Sequence, residues 1–348
     1  MSDLTVHHSR LASFQLALAL CLMILGLALA VLWGRAVLLV SATDPWPIVA
    51  TATSIPTLTP TLKLAVVSPQ ATPTRGPTRT PQPTISSPLP TPAHADPPRC
   101  TETTGQVISR TFSSRVSNAE QRYLIYLPPC YNYTDIRYPT LYLIHGSEND
   151  ETHWQRLGVF QAMDEGVRAG RIPLAIIVLP DGDYNLFMNT SGGPGTYEAQ
   201  FVDELIPYID STYRTVARSE LRAIGGISRG GVWSFEIGFR HPDLFAIVGG
   251  HSAALNVNLA PPGLDPLNMG GLPTLKKQRI WLDVGDADYT RPGVEQLHVA
   301  LERSGVEHTY KIWPGAHDDS LWAAHLADYL EFYTLSWRKL GTVLPPTR

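Results

Sequence analysis

The chain has 348 residues, with 27 Lys and Arg against 31 Asp and Glu and a formal net charge of -4. That balance, with no basic cluster, argues against a nucleic acid as partner. Thr and Pro dominate the stretch from Thr43 to Arg99, and only the chain after it has the composition of a packed domain.

Behind a short tail at residues 1–10, the run from Leu11 to Trp33 is almost wholly apolar and free of charge. About 20 such residues cross the ~30 Å hydrocarbon core, whereas a secretory signal has an apolar region of about 7 to 15. The reading is a transmembrane signal anchor over residues 11–40, a single pass through the cell membrane. A cleavable signal peptide is the alternative, because Ala28-Leu29-Ala30 and Val40-Ser41-Ala42 both offer small residues at cleavage spacing. Residues 41–99 are dominated by Thr and Pro. Such a stretch cannot bury enough apolar surface to offset chain entropy, so it is expected to be a disordered linker that holds the rest of the chain outside the cytoplasm. Cys21 falls in the anchor. Cys100 and Cys130, two cysteines in an exported domain, read as a disulfide.

Residues 100–342 are then one α/β domain, with 343–348 as a tail. Strand-like runs at Arg122 to Leu127, Thr140 to Ile144, Leu174 to Leu179, Leu221 to Ile224, Ala246 to Gly249, Ile280 to Val284 and Thr309 to Trp313 alternate with helical stretches such as Thr196 to Tyr213 and Gly293 to Ser304. This pattern predicts a mostly parallel sheet with helices on both faces. Asp181-Gly182-Asp183-Tyr184-Asn185 resembles half of a calcium loop but lacks the rest of one, so neither metal nor other cofactor is expected, and the segment is read as a loop bordering a pocket. Trp154, Tyr184, Phe187 and Trp233 could wall that pocket, although core packing explains each equally well.

The chemistry is carried by Gly226-Ile227-Ser228-Arg229-Gly230, which sits between an apolar strand and an amphipathic helix. This is the nucleophile elbow of α/β-hydrolases, a strained turn that exposes a serine hydroxyl. A serine is a poor nucleophile until a histidine takes its proton and a carboxylate orients that histidine. The expected order is Ser, acid, His. Asp286 and Asp288 both come after the strand ending at Gly285, while Asp283 lies inside it. His317 comes after the next strand through a Pro-Gly turn. His145-Gly146 after an early strand is where such enzymes place one oxyanion donor, assigned here to the backbone N–H of Ser147 ahead of Gly146, with the N–H of Arg229 as the second. The Arg229 guanidinium is expected in a structural ion pair.

From about Arg122 to Phe332 the chain resembles the esterase D-like (Putative esterase) family of α/β-hydrolases, with feruloyl esterase, S-formylglutathione hydrolase, enterochelin esterase and mycolyltransferase branches. The segments that carry the likeness are Tyr126-Leu127-Pro128-Pro129, Leu143-Ile144-His145-Gly146, Glu204 to Asp210, Gly226 to Gly231, Arg240 to Phe245 and Pro314-Gly315-Ala316-His317. In that family the acid comes after the Gly in a Gly-x-x-Asp pattern, so the resemblance implies Asp288 over Asp286, and a triad of Ser228, Asp288 and His317. The expectation is an extracytoplasmic, membrane-tethered serine esterase acting on a small-molecule or polysaccharide-linked ester. Acyl transfer to an alcohol and a non-catalytic surface-binding role on the same scaffold are the alternatives.

Overall fold

The structure, a computed structural model, describes residues 100–258 and 260–339. The predicted anchor, the linker and the C-terminal tail lie outside these residues, and no helix among them is long and apolar enough to cross a membrane.

Eight strands form one sheet in the order β1-β2-β4-β3-β5-β6-β7-β8. They are β1 (Gln106–Ser114), β2 (Ala119–Leu127), β3 (Thr140–Ile144), β4 (Ile176–Pro180), β5 (Arg222–Ile227), β6 (Ile247–His251), β7 (Arg279–Gly285) and β8 (His308–Trp313). The β1–β2 and β2–β4 pairs are antiparallel, and every pair from β4 onward is parallel. The chain therefore leaves β3 toward one edge and returns on its other side at β5. In open parallel sheets a crevice opens at such a switch point, beyond the carboxyl ends of the strands.

Strand side chains alternate between faces, so neighbouring residues feed different cores. On β3, Tyr142 and Ile144 enter one cluster while Leu141 and Leu143 enter the other. Helices cover both. Helix α1 (Val159–Arg168) and helix α4 (Leu326–Lys339) contribute Phe160, Met163, Leu330 and Tyr333 to one side. Helices α2 (Arg229–Arg240) and α3 (Arg291–Arg303) contribute Trp233, Phe235, Leu297 and Leu301 to the other. The helical run predicted from Thr196 to Tyr213 spans Tyr197 to Thr212 and widens into a π-turn over Gln200–Leu205.

The strand β1 was not predicted. All but two of its residues are exposed or half-buried, so it has little of the alternation that marks a strand with one face in a core. A disulfide joins Cys100 to Cys130. It closes a sequence separation of 30 residues, for which the chain-entropy relation gives about 3 to 4 kcal/mol. Replacing both cysteines with serine is accordingly expected to lower Tm by roughly 6 to 16 °C for a domain of this size; an unchanged melting curve would show that the bond constrains nothing.

Candidate active site

Ser228 leaves β5 at φ 56° and ψ -116°, backbone values that an L-residue adopts only under constraint. The constraint is packing. A Cβ on Gly230 would meet the carbonyl oxygens of His145 and Ile144 at 2.2 and 2.5 Å, so the first turn of α2 presses directly on the end of β3. Ser228 is thereby held at the N-terminus of a twelve-residue helix, where the dipole favours negative charge.

Residues far apart in sequence converge on this serine. His317 Nε2 lies 3.0 Å from Ser228 Oγ, and His317 Nδ1 lies 2.9 and 3.0 Å from the two carboxylate oxygens of Asp288. The Asp288 side chain is fully buried. Burial by itself raises its pKa, but hydrogen bonds from His317, Ser252 and both the hydroxyl and N–H of Thr290 outweigh it and hold the carboxyl below the ordinary 3.8. Its stabilising contribution is therefore present above 3.8 and is lost as the pH falls through the lowered value. Asp286, the other candidate acid, instead accepts the Gly315 N–H at 3.0 Å and so braces the turn that leads to His317. Asp283 is buried in the sheet, taking hydrogen bonds from Trp281 and Tyr329 and pairing with His251.

The loop after β3 is fixed from both sides of Gly146. Its N–H donates to His153 Nδ1 at 3.2 Å, and its carbonyl accepts from His145 Nδ1 at 2.7 Å. These bonds set the plane of the Gly146–Ser147 peptide and occupy the Gly146 donor. No acceptor among the described residues takes the N–H of Ser147 or of Arg229. Burial pushes the pKa of both His145 and His153 down, which keeps them neutral and able to fill these roles. The second nitrogen of His153 is anchored on Asp319 at 3.0 Å.

A cavity of about 330 Å³ opens at Ser228 and Ser147, with Met188 and Val257 as apolar walls and Asn189, Asn258 and Tyr289 as polar ones. The Arg229 guanidinium lines it but has no ion-pair partner among the described residues, contrary to the expectation from sequence. It donates to the carbonyls of Phe187 and Thr190 at 3.0 and 2.6 Å and to the Asn258 side chain at 3.0 Å, and packs over Trp233. Arg229 thus ties the helix Tyr184–Asn189 and the loop before Asn258 to the elbow. The acidic segment at Asp181 caps that helix through Asp183, whose carboxylate accepts from the N–H groups of Asn185 and Leu186.

Of the four aromatic residues considered for a pocket wall, Trp154, Phe187 and Trp233 are core, and Tyr184 faces solvent. The aromatic residue at the site is Tyr289, whose hydroxyl lies 3.4 Å from His317 Nε2. Sequence reading missed it together with Asn258, Thr290, Ser252 and His153. Only Thr290 had a local signal, since Asp288 two residues earlier makes an Asx-type turn with it. Cys100, Glu102 and Cys130 come within ligand spacing of one another, but both sulfurs belong to the disulfide.

Behind Arg229 lies Glu236, fully buried, with Asn258 donating to one carboxylate oxygen at 3.2 Å and the other without a hydrogen-bond partner among the described residues. Burial pushes its carboxyl up to about 7, with Glu198 and Asp265 adding to the rise and Arg229 and Asn258 opposing it. Between 4.5 and 7 the folded protein keeps a proton that the unfolded chain has released, so stability falls as pH rises across that window. Glu236→Gln should remove a pH-dependent loss on the order of 3 kcal/mol. Melting wild type and variant at pH 5 and pH 8 checks this, and an equal loss in both proteins would count against it.

The family pattern described as "Putative esterase" matches residues 114–333, more than half of the chain. The chain belongs to this esterase family. Among curated relatives, an endo-1,4-beta-xylanase/feruloyl esterase of Xylanibacter ruminicola is 36% identical over 155 residues, 42% of this chain and 21% of that one. An esterase of Mycobacterium tuberculosis is 32% identical over 136 residues, 37% of this chain and 28% of the relative. The matched parts are thus well under a third of those longer proteins. Among solved structures, a ferulic acid esterase is 28% identical with a TM-score of 0.62, covering 67% of this chain and 99% of the other. An S-formylglutathione hydrolase from Staphylococcus aureus, 16% identical with a TM-score of 0.58 over 66% of this chain and 99% of its own, shares the fold. Family and neighbours alike have the α/β-hydrolase architecture described above.

Proposed function

We propose that the protein is a serine carboxylic-ester hydrolase of the feruloyl esterase type that works through an acyl-enzyme. Ser228 attacks the ester carbonyl while His317 Nε2 takes its proton, and Asp288 holds the Nδ1 proton and balances the imidazolium. The N–H groups of Ser147 and Arg229 receive the oxyanion. His317 returns the proton to the departing alcohol, and water then repeats the cycle to release the acid. The observation that carries this reading is the hydrogen-bonded chain from Ser228 through His317 to Asp288. Family membership and the ferulic acid esterase likeness support an ester as substrate, and the cavity beside Ser228 has room for a compact acyl group.

The enzyme is further read as tethered outside the cytoplasm. The support is the charge-free run from Leu11 to Trp33 and, after it, the Thr- and Pro-rich residues 41–99. One experiment addresses both statements: the full-length chain is expressed, labelled with a fluorophosphonate, and fractionated with alkaline carbonate. The expected result is a label on Ser228, found by peptide mass spectrometry, in the washed membrane pellet. Absence of label on folded protein would end the esterase reading, and full release by carbonate would end the tethered one.

A further inference from the structure

Two hydroxyls face His317 Nε2 among the described residues. One is that of Ser228 at 3.0 Å, and the other is that of Tyr289 at 3.4 Å. The first is the nucleophile of the esterase reading, and the second has no part in the cycle given above. Tyr289 also lines the cavity at Ser228, with its ring centre 4.5 Å from that of the imidazole. Its backbone is held on both sides. The Thr290 N–H donates to the Asp288 carboxylate at 2.8 Å, the Asp288 N–H donates to the Gly285 carbonyl at 3.2 Å, and the Asn256 amide donates to the Tyr289 carbonyl at 3.1 Å. The residue is nevertheless 58% exposed, so its hydroxyl stands at the open lip of the site, where a substrate can reach it. Trp322 meets the same imidazole edge-on at 5.1 Å, but its indole N–H is committed to the Ser252 hydroxyl at 3.1 Å.

The protonation state of His317 decides where the tyrosine proton points. With Nδ1–H donating to Asp288, neutral His317 has a single lone pair on Nε2, and both hydroxyls approach it. Once Nε2 has taken the serine proton it is a donor and has no lone pair left for Tyr289. At that moment the oxygen of the departing alcohol must lie about 2.6–3.2 Å from Nε2 to receive the proton. Nε2 and the Tyr289 oxygen are 3.4 Å apart, so a third oxygen can sit at about 2.8 Å from each. That oxygen has two lone pairs, one for the proton on His317 and one for a second donor.

We propose that Tyr289 is a further catalytic residue, whose hydroxyl donates a hydrogen bond to the oxygen of the departing alcohol. The inference rests on the serine esterase reading. In the step concerned the tetrahedral carbon re-forms its C=O bond, and its bond to the alcohol oxygen breaks. The proton on Nε2 moves to that oxygen, which leaves a neutral alcohol and acyl-Ser228. Tyr289 keeps its own proton throughout. Water then enters the same place beside Tyr289, gives a proton to Nε2 and bonds to the acyl carbon; collapse breaks the bond to Ser228 and returns the proton to its oxygen. A second donor matters most where the departing oxygen is basic, so the site favours esters of ordinary alcohols over esters of acidic phenols.

The test is kcat/KM of the full-length chain, wild type and Tyr289→Phe, on the ethyl, trifluoroethyl and 4-nitrophenyl esters of ferulic acid and of acetic acid. Within each series the acid is constant and kcat/KM reports acylation. Phenylalanine keeps a ring against His317 and removes only the hydroxyl. The variant is expected to lose about tenfold or more on the ethyl ester, less on the trifluoroethyl ester and about threefold or less on the 4-nitrophenyl ester, with an unchanged melting curve. A purely structural role would lower all three by one factor. An equal loss across the series, or no loss on the ethyl ester, would overturn the inference and leave the esterase reading standing. Wild-type protein that cleaves none of these esters would overturn the esterase reading and this role with it.

Discussion

Ser228→Ala is expected to lower kcat/KM toward a simple aryl ester by about ten-thousand-fold to a million-fold. With the hydroxyl gone, His317 Nε2 has no proton to accept, although the Asp288 bond on its other nitrogen survives. The N–H groups proposed as oxyanion donors, on Ser147 and Arg229, remain, so the residual rate is expected to be that of the proposed oxyanion site acting on attack by water. Stability should hardly move. Alanine meets the same backbone demand at φ 56° as serine, and the His317 side chain, 15% exposed, can turn to water for the lost bond. Steady-state kinetics beside a melting curve separates the two effects. A folded variant with more than about one percent of the activity would mean that another group is the nucleophile.

Gly226→Ala should damage both stability and rate, by a different route. A Cβ at this position would meet the Gly230 carbonyl oxygen at 2.1 Å, its carbon at 2.3 Å and the Gly231 nitrogen at 2.8 Å. All three are backbone atoms of the first turn of α2, so no side chain can rotate aside. The helix must retreat from β5 by roughly 1 Å, and overpacking of this kind costs about 1 to 3 kcal/mol or more. Ser228 lies between the two elements that separate, and a shift of that size at a reacting group costs about a hundredfold in rate. Gly146→Ala is the contrast, since its Cβ would find nothing nearer than 3.6 Å. Melting curves and kcat for the two variants are the check. Equal stability in both would show that the elbow has slack the contacts do not suggest.

The central sheet was legible because strands buried on both faces leave continuous apolar runs: those read at Thr140 to Ile144 and Ile280 to Val284 coincide with β3 and β7 to within a residue. β5 runs three residues beyond the predicted Ile224, through two glycines that carry no strand signal. The edge strand β1 was illegible for the opposite reason, having almost no buried face. At the site, residues with a fixed spacing from a turn could be nominated from sequence: Ser228, His317 and the Asp286–Asp288 pair. Choosing within that pair took the family resemblance, and the contacts explain the difference, since one carboxylate faces the histidine ring and the other a backbone N–H. Tyr289 and Asn258 reach the cavity only through the fold, and nothing in their own neighbourhoods marks them. The Arg229 guanidinium was misread because a buried arginine invites a carboxylate, whereas here backbone carbonyls freed at the end of a short helix serve as its acceptors.

The Cys100–Cys130 bond also has a mechanical meaning. It joins the residue that opens the domain to the one just past β2, so the hairpin of β1 and β2 hangs in a covalent loop off the main path of the chain. A pull on the residues before Cys100 passes across the two sulfurs into Tyr131 and onward to the central strands. It does not run through β1, the strand held by a single neighbour and otherwise the first to peel. An enzyme attached by its N-terminal chain to anything that moves would bear that tension without unzipping the edge of its sheet.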